Sequence, residues 1–217
     1  MEQPTLIIAN RNYSSWSLRA WLALKATGQA FDEVVIPLGR PDTTDNILQW
    51  SPTGRVPAFH DGDIVLWDSL AICEHLAEKY PDAGLWPAEP RARATARSVV
   101  AEMHSGFVAL RKHMPMNLRA SYPGEGREPA VEEDITRITN IWEECRTQYG
   151  SDGDLLFGDF TIADAFYAPI VSRFRTYGVS PGGIAGGYME AVWALPAMRD
   201  WAAKAFAEKW KVERYDR

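Results

Sequence analysis

The sequence predicts two domains of different class: an α/β domain at residues 1–80 with the element order βαβαββα, and an all-helical bundle at residues 91–217. A hairpin pattern runs directly into a helix pattern at residues 51–80. A segment rich in proline follows at residues 81–90, and beyond it the apolar residues recur only at helical spacing. We therefore interpret residues 81–90 as a linker between the two domains.

The first half of the α/β domain is predicted from short apolar runs separated by polar loops. Its elements are a buried strand, a helix, a second strand and a short irregular helix, at residues 6–9, 18–26, 34–36 and 42–50. Residues 11–17 are predicted to be a polar loop, and Gly28 is the predicted C-terminal cap of the first helix. Because a helix joins the two strands, they should be parallel.

The second half is a hairpin that feeds a helix. Two apolar runs, residues 56–60 and 64–67, flank Asp61-Gly62, a dipeptide favoured in tight hairpin turns. Asp68-Ser69 then supplies capping side chains for a helix that Pro81 ends. Antiparallel strands added to a parallel pair make a thioredoxin-like sheet.

The second domain is predicted to consist of helices throughout. One long helix should run over residues 91–114 and another over residues 129–149, which would start an antiparallel bundle. Thr161 and Asp164 have the spacing of a reciprocal capping box at the start of a core helix. A glycine-rich loop at residues 182–187 should precede one or two closing helices.

Composition excludes several classes of function. The chain has 217 residues and a net charge of −6, which disfavours a nucleic-acid partner. No segment has the apolar length of a membrane span, and the first residues do not have the pattern of a signal peptide, so a cytoplasmic location is expected. The two cysteines form no CxxC pair, and the four histidines lack metal-ligand spacing, so no metal is predicted.

Two features of the hairpin predict a site for an extended acidic ligand. Pro57 opens a strand, and a cis Val56-Pro57 bond would let the backbone of Val56 pair with a ligand. The strand-to-helix junction at Asp68-Ser69 combines a hydroxyl with free backbone donors, which suits a carboxylate. Together these two edges could hold a short acidic peptide.

These same residues resemble motifs of the glutathione transferase family. Arg55-Val56-Pro57 resembles its basic-aliphatic-cis-proline motif, and residues 68–72 resemble the acidic-Ser-x-Ala-Ile motif that binds the γ-glutamyl end of glutathione. The resemblance implies glutathione as co-substrate, no metal, and a homodimer. Asp68 stands where the serine-type classes more often have glutamate, so the class stays open.

In this family the enzyme supplies a hydrogen-bond donor to the thiolate of glutathione, just after the first strand. Ser14, Arg19 and Gly28 reproduce the intervals of the zeta and tau classes, so Ser14 is the first candidate. Ser15 is the second, and Tyr13 stays open because other classes use tyrosine. The loop contains no cysteine, which argues against the omega and beta classes and against a thiol reductase.

The resemblance also places the remaining site residues. Arg55 could pair with the glycyl carboxylate of glutathione. A pocket for the electrophile is expected between the first helix and the long helix, lined by Trp16, His104, Phe107, Arg111 and Met116.

The predicted function is a glutathione transferase acting on a small hydrophobic electrophile. Two alternatives remain. A zeta-type isomerase would use the same thiolate and hold a dicarboxylate with basic groups such as Arg11 or Arg111. A non-catalytic transferase-like protein would carry ligands without turnover.

Overall fold

The computed structural model describes residues 3–216 and contains a four-stranded mixed sheet. The strands are β1 (Thr5–Ala9), β2 (Asp32–Ile36), β3 (Ala58–Asp61) and β4 (Ile64–Trp67). Their order across the sheet is β2-β1-β3-β4, with β1 parallel to β2 and antiparallel to β3. This is the thioredoxin-like arrangement, so the predicted fold class is confirmed.

Three helices accompany the sheet: α1 (Ser15–Ala26), α2 (Thr43–Leu48) and α3 (Ser69–Lys79). Helix α1 begins earlier than predicted, because Ser14 caps it by accepting a hydrogen bond from the backbone N–H of Ser17. The serines of its first turn are buried by the rest of the fold. Their polarity made this turn resemble a loop.

The hairpin turn lies one residue later than predicted. Asp61 pairs with Ile64 in the ladder, so the two turn residues are Gly62 and Asp63. Gly62 has φ of 60°, in the left-handed region that glycine tolerates. The carboxylate of Asp61 instead accepts a hydrogen bond from Lys79 Nζ at 2.6 Å, which ties the end of β3 to α3.

Six α-helices follow within the described residues: α4 (Pro90–Ser105), α5 (Val108–His113), α6 (Pro129–Tyr149), α7 (Ile162–Tyr177), α8 (Gly183–Ala194) and α9 (Pro196–Ala207). The predicted single helix over residues 91–114 is wrong. Phe107 has φ of 56°, which breaks the helix into α4 and α5. The Arg111 side chain bridges the break, since its Nε donates to the carbonyl of Gly106 at 2.8 Å.

The glycine-rich stretch predicted as a loop is also helical, since α8 begins at Gly183. Tyr188, Met189 and Val192 are buried on one face of α8, which packs against α6 and α7. This packing stabilises a helix whose glycines alone would disfavour it.

Helix α7 is the centre of the helical part, and nearly all of its residues are buried. The capping box is present, with the N–H of Thr161 donating to Asp164 Oδ2 at 2.8 Å. One side of α7 packs on α4 and another on α1. Where α7 meets α1, the Arg173 side chain lies 3.4 Å from the Ser15 hydroxyl in the first turn of α1, and both residues line the cavity described next.

Within residues 3–216, no helix is both long enough and apolar enough to cross a lipid bilayer.

Candidate active site

A cavity of about 980 Å³ lies where the α/β part meets the helical part. Most of the predicted site residues line it: Tyr13, Ser14, Ser15, Trp16, Arg55, Val56, Pro57, Asp68, Ser69, Arg111 and Met116. The fold therefore gathers onto one surface side chains from three separate stretches of the sequence.

One edge of the cavity is formed by the two hairpin motifs. The Val56–Pro57 peptide bond is cis, and both residues line the cavity. Asp68 has φ of 73° and caps α3 by accepting from the N–H of Leu70 at 2.7 Å. A left-handed aspartate is a sparsely populated conformation that clusters at functional sites.

Ser69 is the first residue of α3 and is fully buried. Its hydroxyl oxygen has no hydrogen-bond partner among the described residues, although it borders the cavity. Burying a hydroxyl without a partner costs about 1–3 kcal/mol. A carboxylate at the N-terminus of α3 would supply the missing partner.

The serines at the start of α1, Ser14 and Ser15, also line the cavity. The Ser14 hydroxyl donates to Ser17 Oγ at 2.7 Å and accepts weakly from the Ser17 N–H at 3.4 Å. The Ser15 hydroxyl accepts from Arg173 Nη2 at 3.4 Å. Ser14 is thus held by its own helix, whereas Ser15 is linked to α7.

Tyr13 also lines the cavity, but its hydroxyl bonds within the protein. It donates to the carboxylate of Asp216, with oxygens at 2.8 and 2.9 Å, and accepts from Arg119 Nη2 at 2.9 Å. Burial, together with the bond to Asp216, raises the pKa of Tyr13. Ser14 and Ser15 are therefore better placed than Tyr13 to donate to a ligand.

His104 and Phe107 differ from the other predicted residues, because neither is part of the cavity lining that the structure describes. Phe107 is buried in the core, where the left-handed break before α5 directs it. His104 lies behind the wall, with Nε2 3.4 Å from Asp68 Oδ2 and its ring 5.2 Å from that of Trp16. Burial is the main cause that lowers the pKa of His104.

Sequence reasoning missed two arginines that line the cavity, Arg173 and Arg214. Arg173 lies on α7 with only 4% of its surface exposed, and its Nε donates to the carbonyl of Met114 at 2.8 Å. Burial and the neighbouring Arg111 lower the pKa of Arg173 to about 9. The available signal was an arginine close after the apolar run at residues 165–171 of α7, since a charge at a buried position needs a reason.

The cavity is positively charged overall. Among the described residues, Asp68 is the one acidic side chain in the lining, against Arg55, Arg111, Arg173 and Arg214. A fifth guanidinium, that of Arg19, is fully buried behind Trp16, with Cζ 4.3 Å from the Trp16 ring centre. This excess of positive charge favours anionic ligands.

The protein's own thiols lie outside this chemistry. Cys73 and Cys145 are buried and unpaired, and burial raises the pKa of both, that of Cys145 to about 12. Such thiols stay neutral and unreactive at physiological pH. Within the described part of the chain, no cluster of histidine, cysteine or acidic residues could hold a metal ion.

Two family models match the chain. The model for the N-terminal domain of glutathione S-transferase matches residues 13–79, and the model for its C-terminal domain matches residues 128–204. The first match contains the predicted thiol donors and both hairpin motifs. The second contains α7 with Arg173.

Relatives of two kinds resemble the chain over most of its length. A zeta-class glutathione S-transferase of Euphorbia esula is 36% identical over 180 residues, which cover 80% of this chain and 79% of the relative. A probable maleylacetoacetate isomerase of Caenorhabditis elegans is 27% identical over 178 residues, covering 80% and 81% of the two chains.

Among solved structures, a bacterial zeta-class maleyl pyruvate isomerase superposes with a TM-score of 0.70 and 26% identity. The match covers 93% of this chain and 97% of that one.

Proposed function

The chain belongs to the glutathione S-transferase family, and from this premise we propose that it binds glutathione in the cavity and activates its thiol for transfer to an electrophile. The observation that carries the proposal is the placement of the Ser14 and Ser15 hydroxyls in the same cavity as the Val56–Pro57 edge and the unpartnered Ser69 hydroxyl.

Each part of the tripeptide has a partner of suitable chemistry. The Ser69 hydroxyl and the N–H groups at the N-terminus of α3 donate hydrogen bonds to the γ-glutamyl carboxylate, while the Asp68 carboxylate attracts the amino group. The backbone of Val56 pairs with the cysteinyl peptide group. The exposed Arg55 guanidinium attracts the glycyl carboxylate at the rim.

Ser14 is the proposed donor to the sulfur. When the thiol loses its proton to water, the Ser14 hydroxyl turns from Ser17 to the thiolate, since a hydrogen bond to a charged acceptor is the stronger one. The N-terminus of α1 and the surrounding guanidinium groups add positive potential there. The thiolate then forms a bond to the electrophilic carbon, and the leaving group departs with the bonding electrons.

Ultraviolet difference spectroscopy of bound glutathione tests this proposal. Ser14→Ala should move the formation of the thiolate to higher pH while glutathione still binds, because only the donor to the sulfur is lost. Ser98→Ala is the matched control, since Ser98 is exposed on α4 and donates to its own helix. Saturable binding with no thiolate in the parent protein would instead indicate a ligand carrier.

A second candidate function is favoured by the arginines of the helical side. We propose as the alternative a glutathione-dependent isomerase of zeta type, in which Arg173 and Arg111 hold a dicarboxylate beside the activated thiol. Its support is that Arg173 is buried and that its hydrogen-bond partners among the described residues are carbonyl and hydroxyl oxygens, so its charge has no anionic partner in the protein. The names of the relatives from Caenorhabditis elegans and from bacteria agree with this alternative.

Turnover of two probes separates the two candidates. Chlorodinitrobenzene is a neutral electrophile, and maleylacetoacetate is an anionic substrate for isomerisation. Faster turnover of maleylacetoacetate, lost in Arg173→Met while the thiolate persists, would establish the isomerase. Turnover of chlorodinitrobenzene alone would establish conjugation.

We also propose a homodimer formed through the edge of the sheet. Strand β4 is one of the two edge strands, and Ile64, Val65 and Trp67 on it remain 39–47% exposed. An exposed apolar edge strand is normally covered by a partner. Light scattering should give twice the mass of the 24.4 kDa chain, and a monomeric mass would refute the dimer. The cytoplasmic location stays a prediction of the sequence.

A further inference from the structure

The segment after α9, residues 208–216, returns to the cavity instead of leaving the protein. Its start is held by the loop before α1, where the Glu208 carboxylate accepts from the N–H of Arg11 at 2.7 Å and of Asn12 at 3.2 Å. Further along, Arg214 and Tyr215 line the cavity. We refer to residues 208–216 as the strap.

The far end of the strap is fastened by buried polar groups. The Tyr13 hydroxyl donates to the Asp216 carboxylate at 2.8 Å, and Asn117 Nδ2 donates to the same carboxylate at 2.9 Å. Asn117 Nδ2 also donates to the Tyr215 carbonyl at 3.0 Å, and the rings of Tyr13 and Tyr215 lie 5.6 Å apart. Asn117 is itself held by Asn12 Nδ2 at 2.7 Å, so the fastening involves the loop before α1 and the chain after α5.

Arg119 adds a second set of bonds to the same strap. Its Nη2 donates to the Tyr13 hydroxyl at 2.9 Å and to the Trp210 carbonyl at 2.8 Å, and its Nη1 donates to the Glu208 carbonyl. The strap has few apolar anchors of its own. Among its residues, Val212 is the one that is both apolar and buried. Its position depends on polar groups, with Tyr13 at their centre.

We propose that Tyr13 is a positioning residue that fastens the strap, and that the strap forms the wall of the second-substrate side of the cavity. This inference rests on the proposed function only for the identity of the second substrate. Arg214 and Tyr215 then act as specificity residues, because they are the strap side chains that reach the cavity.

The inference makes Tyr13 distinct from a catalytic tyrosine. A catalytic phenol would donate to the thiolate, so its loss would move the thiolate to higher pH. A fastening phenol donates to Asp216, so its loss frees the strap and leaves the thiolate unchanged.

The hold on the strap can be tested by limited trypsin digestion of the full chain. Mass spectrometry then gives the rate of cleavage within the strap. Lys209 and Lys211 are exposed cleavage sites within the strap. Tyr13→Phe and Asp216→Ala should each speed cleavage there by about tenfold, because each removes a hydrogen bond to a charged group. Tyr149→Phe is the matched control, since it likewise removes a hydrogen-bonded phenol hydroxyl, here one paired with Thr95, but Tyr149 is not part of the cavity lining.

The affinities for two ligands then test whether the strap forms the second-substrate side of the cavity. Affinity for the dinitrophenyl conjugate of glutathione should fall several-fold in both strap variants, while affinity for glutathione itself is kept. Unchanged cleavage in both variants would overturn the fastening. A thiolate that moves to higher pH in Tyr13→Phe but not in Asp216→Ala would make Tyr13 the donor and overturn the proposal. Failure of the parent protein to bind glutathione would refute the proposed function, whereas the digestion would still decide on the strap.

Discussion

The two walls of the cavity are built in different ways. The α/β wall, formed by Val56, Pro57, Asp68 and Ser69, comes from one continuous stretch and presents backbone groups, a hydroxyl and a carboxylate. The helical wall, formed by Arg111, Met116, Arg173, Arg214 and Tyr215, is gathered from three distant stretches and presents guanidinium groups and an aromatic ring.

This difference suggests a division of roles. The α/β wall matches a constant ligand, because its geometry follows from one hairpin and one helix start. The helical wall depends on how α5, α7 and the strap pack. Its shape and charge can therefore vary without disturbing the α/β wall. The following changes test that division, beginning with the largest expected effect.

The support of the helical wall is tested first, through the buried Asp164 that caps α7. Burial raises the pKa of Asp164 from 3.8 to about 6, which corresponds to about 3 kcal/mol of stability. Because the folded pKa is the higher one, the folded state binds more protons between these values. The stability that the protonated Asp164 carboxyl contributes to the folded state is complete below about pH 4 and is lost as pH rises to about 6.

Asp164→Asn removes the titration, so the stability advantage of the parent protein over this variant should shrink as pH rises through that window. Urea unfolding at several pH values measures the advantage. An advantage that grows with pH would show that the carboxylate has a lowered pKa instead. Thr161→Ala should cost about 1 kcal/mol with little pH dependence.

Arg173→Met tests whether the helical wall recognises an anion. Methionine keeps much of the volume and removes the charge, so KM for maleylacetoacetate should rise about a hundredfold if a buried ion pair is lost. The thiolate of bound glutathione should form as in the parent protein. Equal losses of glutathione affinity and of maleylacetoacetate turnover would contradict the division between the walls.

Ser69→Ala tests the α/β wall. The variant removes the hydroxyl proposed to bind the γ-glutamyl carboxylate, so affinity for glutathione should fall about tenfold. Calorimetric titration with glutathione gives the affinity, with Ser98→Ala as the control. Unchanged affinity would refute the assignment of Ser69.

Arg55→Ala should have the smallest effect. Arg55 is exposed at the rim, and solvent screens an ion pair there, so glutathione affinity should fall by about threefold or less. When the same titration is repeated at high salt, the glutathione affinity of the parent protein should fall close to that of the variant. A loss as large as that of Ser69→Ala would mean that the rim charge is part of the central recognition.

The α/β wall and the architecture around it could be predicted from local patterns in the sequence. The β3–β4 hairpin, the cis Val56–Pro57 bond and the cap at Asp68 follow from short-range patterns, because hairpins, helix caps and X-Pro bonds depend on neighbouring residues. The capping box at Thr161 and Asp164 was accessible for the same reason.

The helical wall, in contrast, could not be predicted from local patterns, because tertiary packing forms it. The break at Phe107, the helical conformation of the glycine-rich stretch and the partner of Tyr13 depend on packing between segments far apart in the chain. Arg173 and Ser15 are 158 residues apart, and no local pattern relates them. Periodicity indicates which face of a helix is buried, but only the packing of α7 against α1 decides which buried side chains reach the cavity.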